Sequence, residues 1–327
     1  MHGTATATTS FAPLAEEHLD GAATLLAARQ AAGRLVEPAL DPRYEDPATA
    51  RREIAGLLGR DGASGVAAVR AGQVLGYVLG VPLDASWGAN VWVEPAGHAV
   101  SAPELVRDLY AAAAARWVAD GRTSHYAVVP ATDPALVDAW FRVGFGQQHV
   151  HAIREPWPAD EVVEVPPELT LRAPTRDDID ALARIDVALP AHQARSPVFS
   201  LLPLPSVEEA RAEYEADFDD PRFATFVVEY EGEVIGAAVG CPIEVSSGHK
   251  SLTLPPGAGF LGFAAVLPEH RGLGAGRVLG DAVLAWSRDA GHRSVVTDWR
   301  MTNLLASRTW PRLGYRPTFF RLFRAIA

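Results

Sequence analysis

The chain has 327 residues, 48% of them hydrophobic and 21% charged, the balance of a folded globular protein with material for about two domains. Its net charge of −11 argues against the basic face that nucleic-acid binding demands, and no apolar run approaches the roughly 20 residues needed to cross a bilayer. A single cysteine, Cys241, excludes an intrachain disulfide and suits a reducing cytoplasm.

Residues 1–9 have neither a basic start nor an apolar block, so no secretory leader is expected and the segment reads as a frayed tail. Phe11-Ala12-Pro13 then precedes a helix-like stretch. The apolar strand punctuated by Gly72, Gly76 and Gly80 recurs with Gly232, Gly236 and Gly240, an offset of 160 (72 to 232). Asp133, Trp140, Arg142, Gly144 and Phe145 recur as Asn303, Trp310, Arg312, Gly314 and Tyr315, an offset of 170 (133 to 303). The second copy has therefore gained ten residues, and the polar, then Pro/Gly-rich stretch 244–257 is the obvious place for them.

Trp87, Trp92 and Trp140 read as core or interface anchors. His149 and His151 share one face of a strand; lacking a third ligand, they predict polar alternation and no metal. Residues 155–167, rich in proline and acid, mark a boundary between a first domain over 1–156 and a second over 168–327. The second copy opens like the first, with Leu171-Arg172-Ala173-Pro174 before Thr175-Arg176-Asp177-Asp178, an N-cap with an acidic first turn. Cys241, beside Val239 and Pro242, reads as a small buried hydrophobe.

The most informative stretch is Arg271-Gly272-Leu273-Gly274-Ala275-Gly276. The apolar run 260–266 precedes it, and Val278, Leu279, Ala282, Val283 and Trp286 follow at helical spacing. A strand, a glycine turn and a helix start thus meet at one point, where unpaired N–H groups and the helix dipole are expected to seat an anion such as a phosphate. A P-loop needs Lys-Ser or Lys-Thr after the last glycine, and Arg277-Val278 stands there. A dinucleotide fingerprint fails at its third glycine, although Asp298 lies near the distance of a ribose-binding acid.

The pattern of Arg271, Gly274 and Gly276 resembles the acyl-CoA loop of the GNAT acetyltransferase superfamily. Downstream, the β-rich run 294–298, then Asn303, Trp310 and Gly314-Tyr315 resemble that family's second signature in the right order. The resemblance implies an α/β (α+β) fold of two tandem GNAT-like domains, each a mixed, mostly antiparallel sheet flanked by helices. It implies acetyl-CoA as co-substrate, with Ala264, Ala265 and Val266 pairing with the pantetheine arm like an added strand. Arg271, Gly272, Leu273, Gly274, Ala275, Gly276 and Arg277 would hold the pyrophosphate, and Asn303 would meet the acyl-CoA arm. The activity implied is N-acetylation of a primary amine on a small molecule or peptide, by direct attack in a ternary complex.

Many relatives carry a thiolate-protonating Tyr seven residues after the Asn, where this chain has Trp310, whose indole does not titrate usefully. Ser307 is then the candidate donor to the sulfur and Asp298 the candidate base acting through water, while Glu269 and His270 read as exposed turn residues. The departure also leaves open a non-catalytic acyl-CoA-binding or interaction protein. In the first copy the loop position reads as residues 93–100, without arginine, and Asp133 replaces the Asn, so that copy is expected to be structural. Glu208, Glu209, Glu213, Glu215, Asp217, Asp219 and Asp220 fall where the family builds its acceptor wall and suit a cationic amine. The sequence leaves the oligomeric state undetermined.

Overall fold

The computed structural model describes residues 8–200 and 203–326; most of the expected tail lies outside them. The chain divides into two compact units: Met1–His149 with Lys250–Thr253 and Pro317–Ala327, and Val150–His249 with Leu254–Arg316. Residues 317–327, expected in the second domain, thus belong to the first unit, and residues 150–156, expected in the first, belong to the second. No helix of the described residues is long and apolar enough to cross a membrane.

The first unit runs β1 (Ser10–Pro13), α1 (Leu19–Val36), α2 (Pro47–Leu58), β2 (Ser64–Arg70), β3 (Gln73–Gly80), β4 (Asn90–Val93), β5 (His98–Val100), α3 (Leu105–Ala119), β6 (Ser124–Pro130) and α4 (Pro134–Phe141), then enters β7 (Gly146–Arg154). The second runs β8 (Leu169–Arg172), α5 (Ile179–Gln193), α6 (Val207–Asp217), β9 (Ala224–Tyr230), β10 (Glu233–Pro242), β11 (Gly259–Val266), α7 (Ala275–Asp289), β12 (Val295–Arg300), α8 (Leu304–Arg312) and the start of β13 (Arg316–Ala325). The order repeats, as the internal similarity predicted. Even the hairpin turns match: Ala71-Gly72 and Glu231-Gly232 all have positive φ, the two-residue turn that fits twisted strands.

In the first unit β1, β2, β3 and β5 form an antiparallel sheet, while β4 lies parallel to β6, which pairs antiparallel with β13. Trp117, Trp140, Tyr77 and Phe319 are fully buried in its core, and Trp92 stacks on Tyr126 at 4.2 Å. In the second unit β8, β9, β10 and β11 are antiparallel neighbours, and β11 meets β12 in parallel. Val278, Leu279, Ala282 and Val283 of α7 are buried, as the periodicity predicted. Gly280 lets α8 approach: a Cβ there would lie 2.5 Å from Leu313 and 3.2 Å from Trp310.

The ten extra residues of the second half are not one insertion. Val100 pairs with Gly76 as Val266 pairs with Gly236, an offset of 166 (100 to 266), so six of the ten fall before this point, where the connector 243–258 lies, and four in the turn 267–274, which replaces 101–104. The connector is also not simply an exposed loop: Ile243, His249, Leu252 and Thr253 are buried.

Candidate active site

β11 has two different edges. Its pairing with β10 continues to Val266, but its parallel pairing with β12 covers only Gly259–Leu261 against Val295–Thr297. The β10 partners shift by one residue between Val239 and Gly240, leaving Gly262 as an extra, exposed residue on β11. Beyond this bulge the strand parts from β12, and Phe263, Ala264, Ala265 and Val266 are half-buried along the released edge. Such an edge presents backbone donors and acceptors to an extended ligand.

The released edge leads into the glycine turn. A 3-10 turn over Pro268–His270 is followed by Gly272 at φ +96° and Gly274 at φ +86°, the left-handed region that disfavours side chains. Gly274 caps α7, its carbonyl accepting from Arg277 N at 2.9 Å and Val278 N at 3.2 Å. The N–H groups of Gly272, Leu273, Gly274, Ala275 and Gly276 make no hydrogen bond among the described residues. Gly276 is different from the other two glycines, since neither its φ nor its surroundings require the absence of a side chain.

Arg271 is exposed and makes no ion pair among the described residues. Arg277 is also exposed, with Nε 3.4 Å from Asp281 and Nη2 4.0 Å from Glu164. A cavity of about 340 Å³ opens at this helix end, lined by Glu164, Val165, Pro166, Gly274, Arg277 and Val278. Burial pushes the Asp281 carboxyl up, against the pull of Arg277 and a bond from Trp157 Nε1 at 3.2 Å.

The equivalent place in the first unit is closed. Residues 93–100, expected to be its loop, form the end of β4, a 3-10 turn over Pro95–Gly97 and β5; the true counterpart is 101–104. There the first helical N–H groups are already bonded, Leu105 to Ala102 O and Val106 to Pro103 O, each at 3.1 Å. Half-buried Arg29 donates to the carbonyls of His98 and Pro95, and Tyr77 Oη donates to Ala96 O at 2.7 Å. The carboxylate of Glu94 is ion-paired with Arg60 at 2.5 Å.

The remaining candidates are dispersed. Asn303 is buried and caps α8, its Oδ1 accepting from Ala306 N at 3.4 Å; Asp133 caps α4 in the same way through Leu136 N at 3.0 Å. The Asn-to-Asp difference thus falls where both side chains do the same structural work. Ser307 Oγ donates to Met301 O at 2.8 Å, and Trp310 is buried. Burial raises the Cys241 thiol to about 11, consistent with a core residue. Asp298 on β12 keeps company with two imidazoles, its Oδ2 3.7 Å from His249 Nε2.

Residues 192–315 match the family model of the acetyltransferase (GNAT) family. The second unit carries a GNAT-family domain. An aminoglycoside N(6')-acetyltransferase type 1 of Stenotrophomonas maltophilia is 29% identical over 123 residues, 36% of this chain and 78% of that protein. The crystal structure of a GCN5-related N-acetyltransferase from Sphaerobacter thermophilus superposes with a TM-score of 0.56 at 17% identity, covering 97% of this chain and 95% of that one. A glucosamine N-acetyltransferase region of a fungal multi-domain β-N-acetylglucosaminidase gives 0.52 at 15% identity, over 98% of this chain and 38% of the other. These likenesses at low identity extend the GNAT fold over both halves.

The GNAT unit holds a second cavity, of about 310 Å³, that the sequence showed only in part. Leu182 and Asp186 of α5, Glu213, Tyr214 and Asp217 of α6, and Phe218 line it. Of the seven acids expected to form an acceptor wall, Glu213 and Asp217 line this cavity. Glu209 bonds the Ser206 N–H at 2.7 Å, Glu215 pairs with Arg211 at 3.0 Å, Asp220 pairs with Arg222 at 2.6 Å, and Asp219 pairs with Arg176. Asp186 was missed because it sits in an apolar helix pattern; burial and neighbouring Glu213 push its carboxyl up.

Proposed function

We propose that the second unit transfers the acetyl group of acetyl-CoA to a primary amine on a small molecule or peptide, and that the first unit is structural. One observation carries this reading: five consecutive N–H groups, from Gly272 into the first turn of α7, have no hydrogen-bond partner among the described residues and are reached directly from the released edge of β11. Those groups, the helix dipole and Arg271 with Arg277 suit a pyrophosphate. Ala264, Ala265 and Val266 suit a pantetheine arm laid along the strand.

In the reaction, the acceptor nitrogen attacks the thioester carbon, a strand-end amide stabilises the oxyanion, and the carbon–sulfur bond breaks. The ammonium proton leaves to solvent or base, and the thiolate takes up a proton. The Asp186, Glu213 and Asp217 carboxylates beside Tyr214 and Phe218 favour a cationic acceptor with an apolar portion. The similarity to an aminoglycoside N(6')-acetyltransferase supports an amine acceptor. Action in the reducing cytoplasm fits the single buried cysteine.

The test is CoA release from acetyl-CoA across a panel of amines at several salt concentrations. Turnover that prefers cationic amines and weakens with salt supports the reading; turnover indifferent to acceptor charge contradicts its acceptor half. Buried Trp310 and engaged Ser307 favour a second reading, acyl-CoA binding without transfer. Cofactor binding without CoA release from any amine would select it.

A further inference from the structure

His151 lies on β7, His249 in the connector 243–258 and Asp298 on β12, segments of the second unit far apart in sequence. His151 Nδ1 is 3.2 Å from His249 Nε2, which is 3.7 Å from Asp298 Oδ2, and the three donor atoms lie within 4.8 Å of one another. The His249 side chain is wholly buried. Its ring packs edge-to-face on Phe260 at 4.8 Å, and its Nδ1 lies 2.8 Å from Ser246 Oγ. In the tautomer that donates Nδ1–H to that hydroxyl, Nε2 offers its lone pair on the side where His151 Nδ1 and Asp298 Oδ2 lie.

Two imidazole nitrogens and a carboxylate oxygen gathered this closely form a set of lone pairs that a proton or a metal ion can bridge. Ligands 2.0–2.1 Å from a tetrahedral zinc ion sit about 3.3 Å apart, close to the two measured separations. An imidazole whose second nitrogen is held by an oxygen is also the usual form of a metal-bound histidine.

We propose that His151, His249 and Asp298 bind one divalent transition-metal ion, with zinc the best match to two imidazoles and a carboxylate. Asp298, 27% exposed, turns inward to complete the set and leaves the fourth position to water. The ion ties the connector to β7 and β12. Asp298 is then a ligand rather than a base, and the site does not depend on the acetyl-transfer reading.

The test uses the untagged full chain, stripped with a chelator and titrated with Zn²⁺ against a chromogenic competitor, with bound metal counted by mass spectrometry. One tight equivalent per chain is expected, with tetrahedral ligand-field bands when Co²⁺ replaces it. His249→Ala and Asp298→Asn, each with native circular dichroism, are expected to weaken that equivalent by about tenfold or more. His151→Gln replaces whichever variant fails to fold. No retained equivalent in the wild type, or equal zinc affinity in the folded variants, overturns the site.

Discussion

The turn 267–274 and its counterpart 101–104 follow strands in matching register and enter helices of 15 residues each. One leaves five consecutive N–H groups without a partner among the described residues; the other spends its first helical N–H groups on its own carbonyls and has Pro103, which lacks one. Likewise the edge of β11 stands open, while Arg29 and Tyr77 bond the carbonyls of 95, 96 and 98 from within. Burial holds the Arg29 guanidinium down at about 10, so this filling is costly, but carbonyls left unbonded there would cost more. The pair teaches that where this fold leaves no edge open, the polar groups there are met by side chains of the chain itself.

The sharpest break of that comparison is Gly274→Val. A β-branched residue at φ +86° is strained by about 1–3 kcal/mol and its side chain enters the anion's space, so acetyl-CoA affinity is expected to fall about a hundredfold or more. Pro103→Ala in the first unit should leave that affinity unchanged; calorimetry on both variants checks the contrast. Arg271→Ala removes one charge-assisted contact, about 1.5–3 kcal/mol, or a loss of about ten- to a hundredfold by the same measurement.

Asp186→Asn separates the acceptor cavity from the cofactor turn. It is expected to raise the Michaelis constant for cationic amines and leave acetyl-CoA affinity alone. Because the folded carboxyl is raised, the native state binds the proton more readily than the unfolded chain, and wild-type stability falls as pH rises through the folded value. The variant should therefore melt higher than wild type at neutral pH and lose that advantage on acidification, in paired thermal scans. The smallest effect is expected from Glu164→Gln: its carboxylate lies 4.0 Å from exposed Arg277, so removing it should tighten acetyl-CoA only a few-fold, by about 0–1 kcal/mol.

Much of the fold was legible because local rules carried it. The repeated hairpin turns, the helical face of α7 and the strand–turn–helix at Gly272 and Gly274 are each set by residues near one another in sequence. What escaped depended on long-range pairing. The sequence put the first copy's loop on residues 93–100 because it could not show that β4 and β5 together replace the single strand β11. It set His151 aside as strand alternation because His249, 98 residues away, comes from a connector that read as surface. It took Asp219 as part of an acceptor wall because pattern alone does not show that Arg176, 43 residues away, already holds it.

The central claim is that only the second unit kept the ligand site. The number of acetyl-CoA molecules bound per chain at saturation, measured by titration calorimetry on the full chain, tests it most directly. One equivalent, lost in Gly274→Val, is the predicted result. Two equivalents, or one that survives Gly274→Val undiminished, would contradict it.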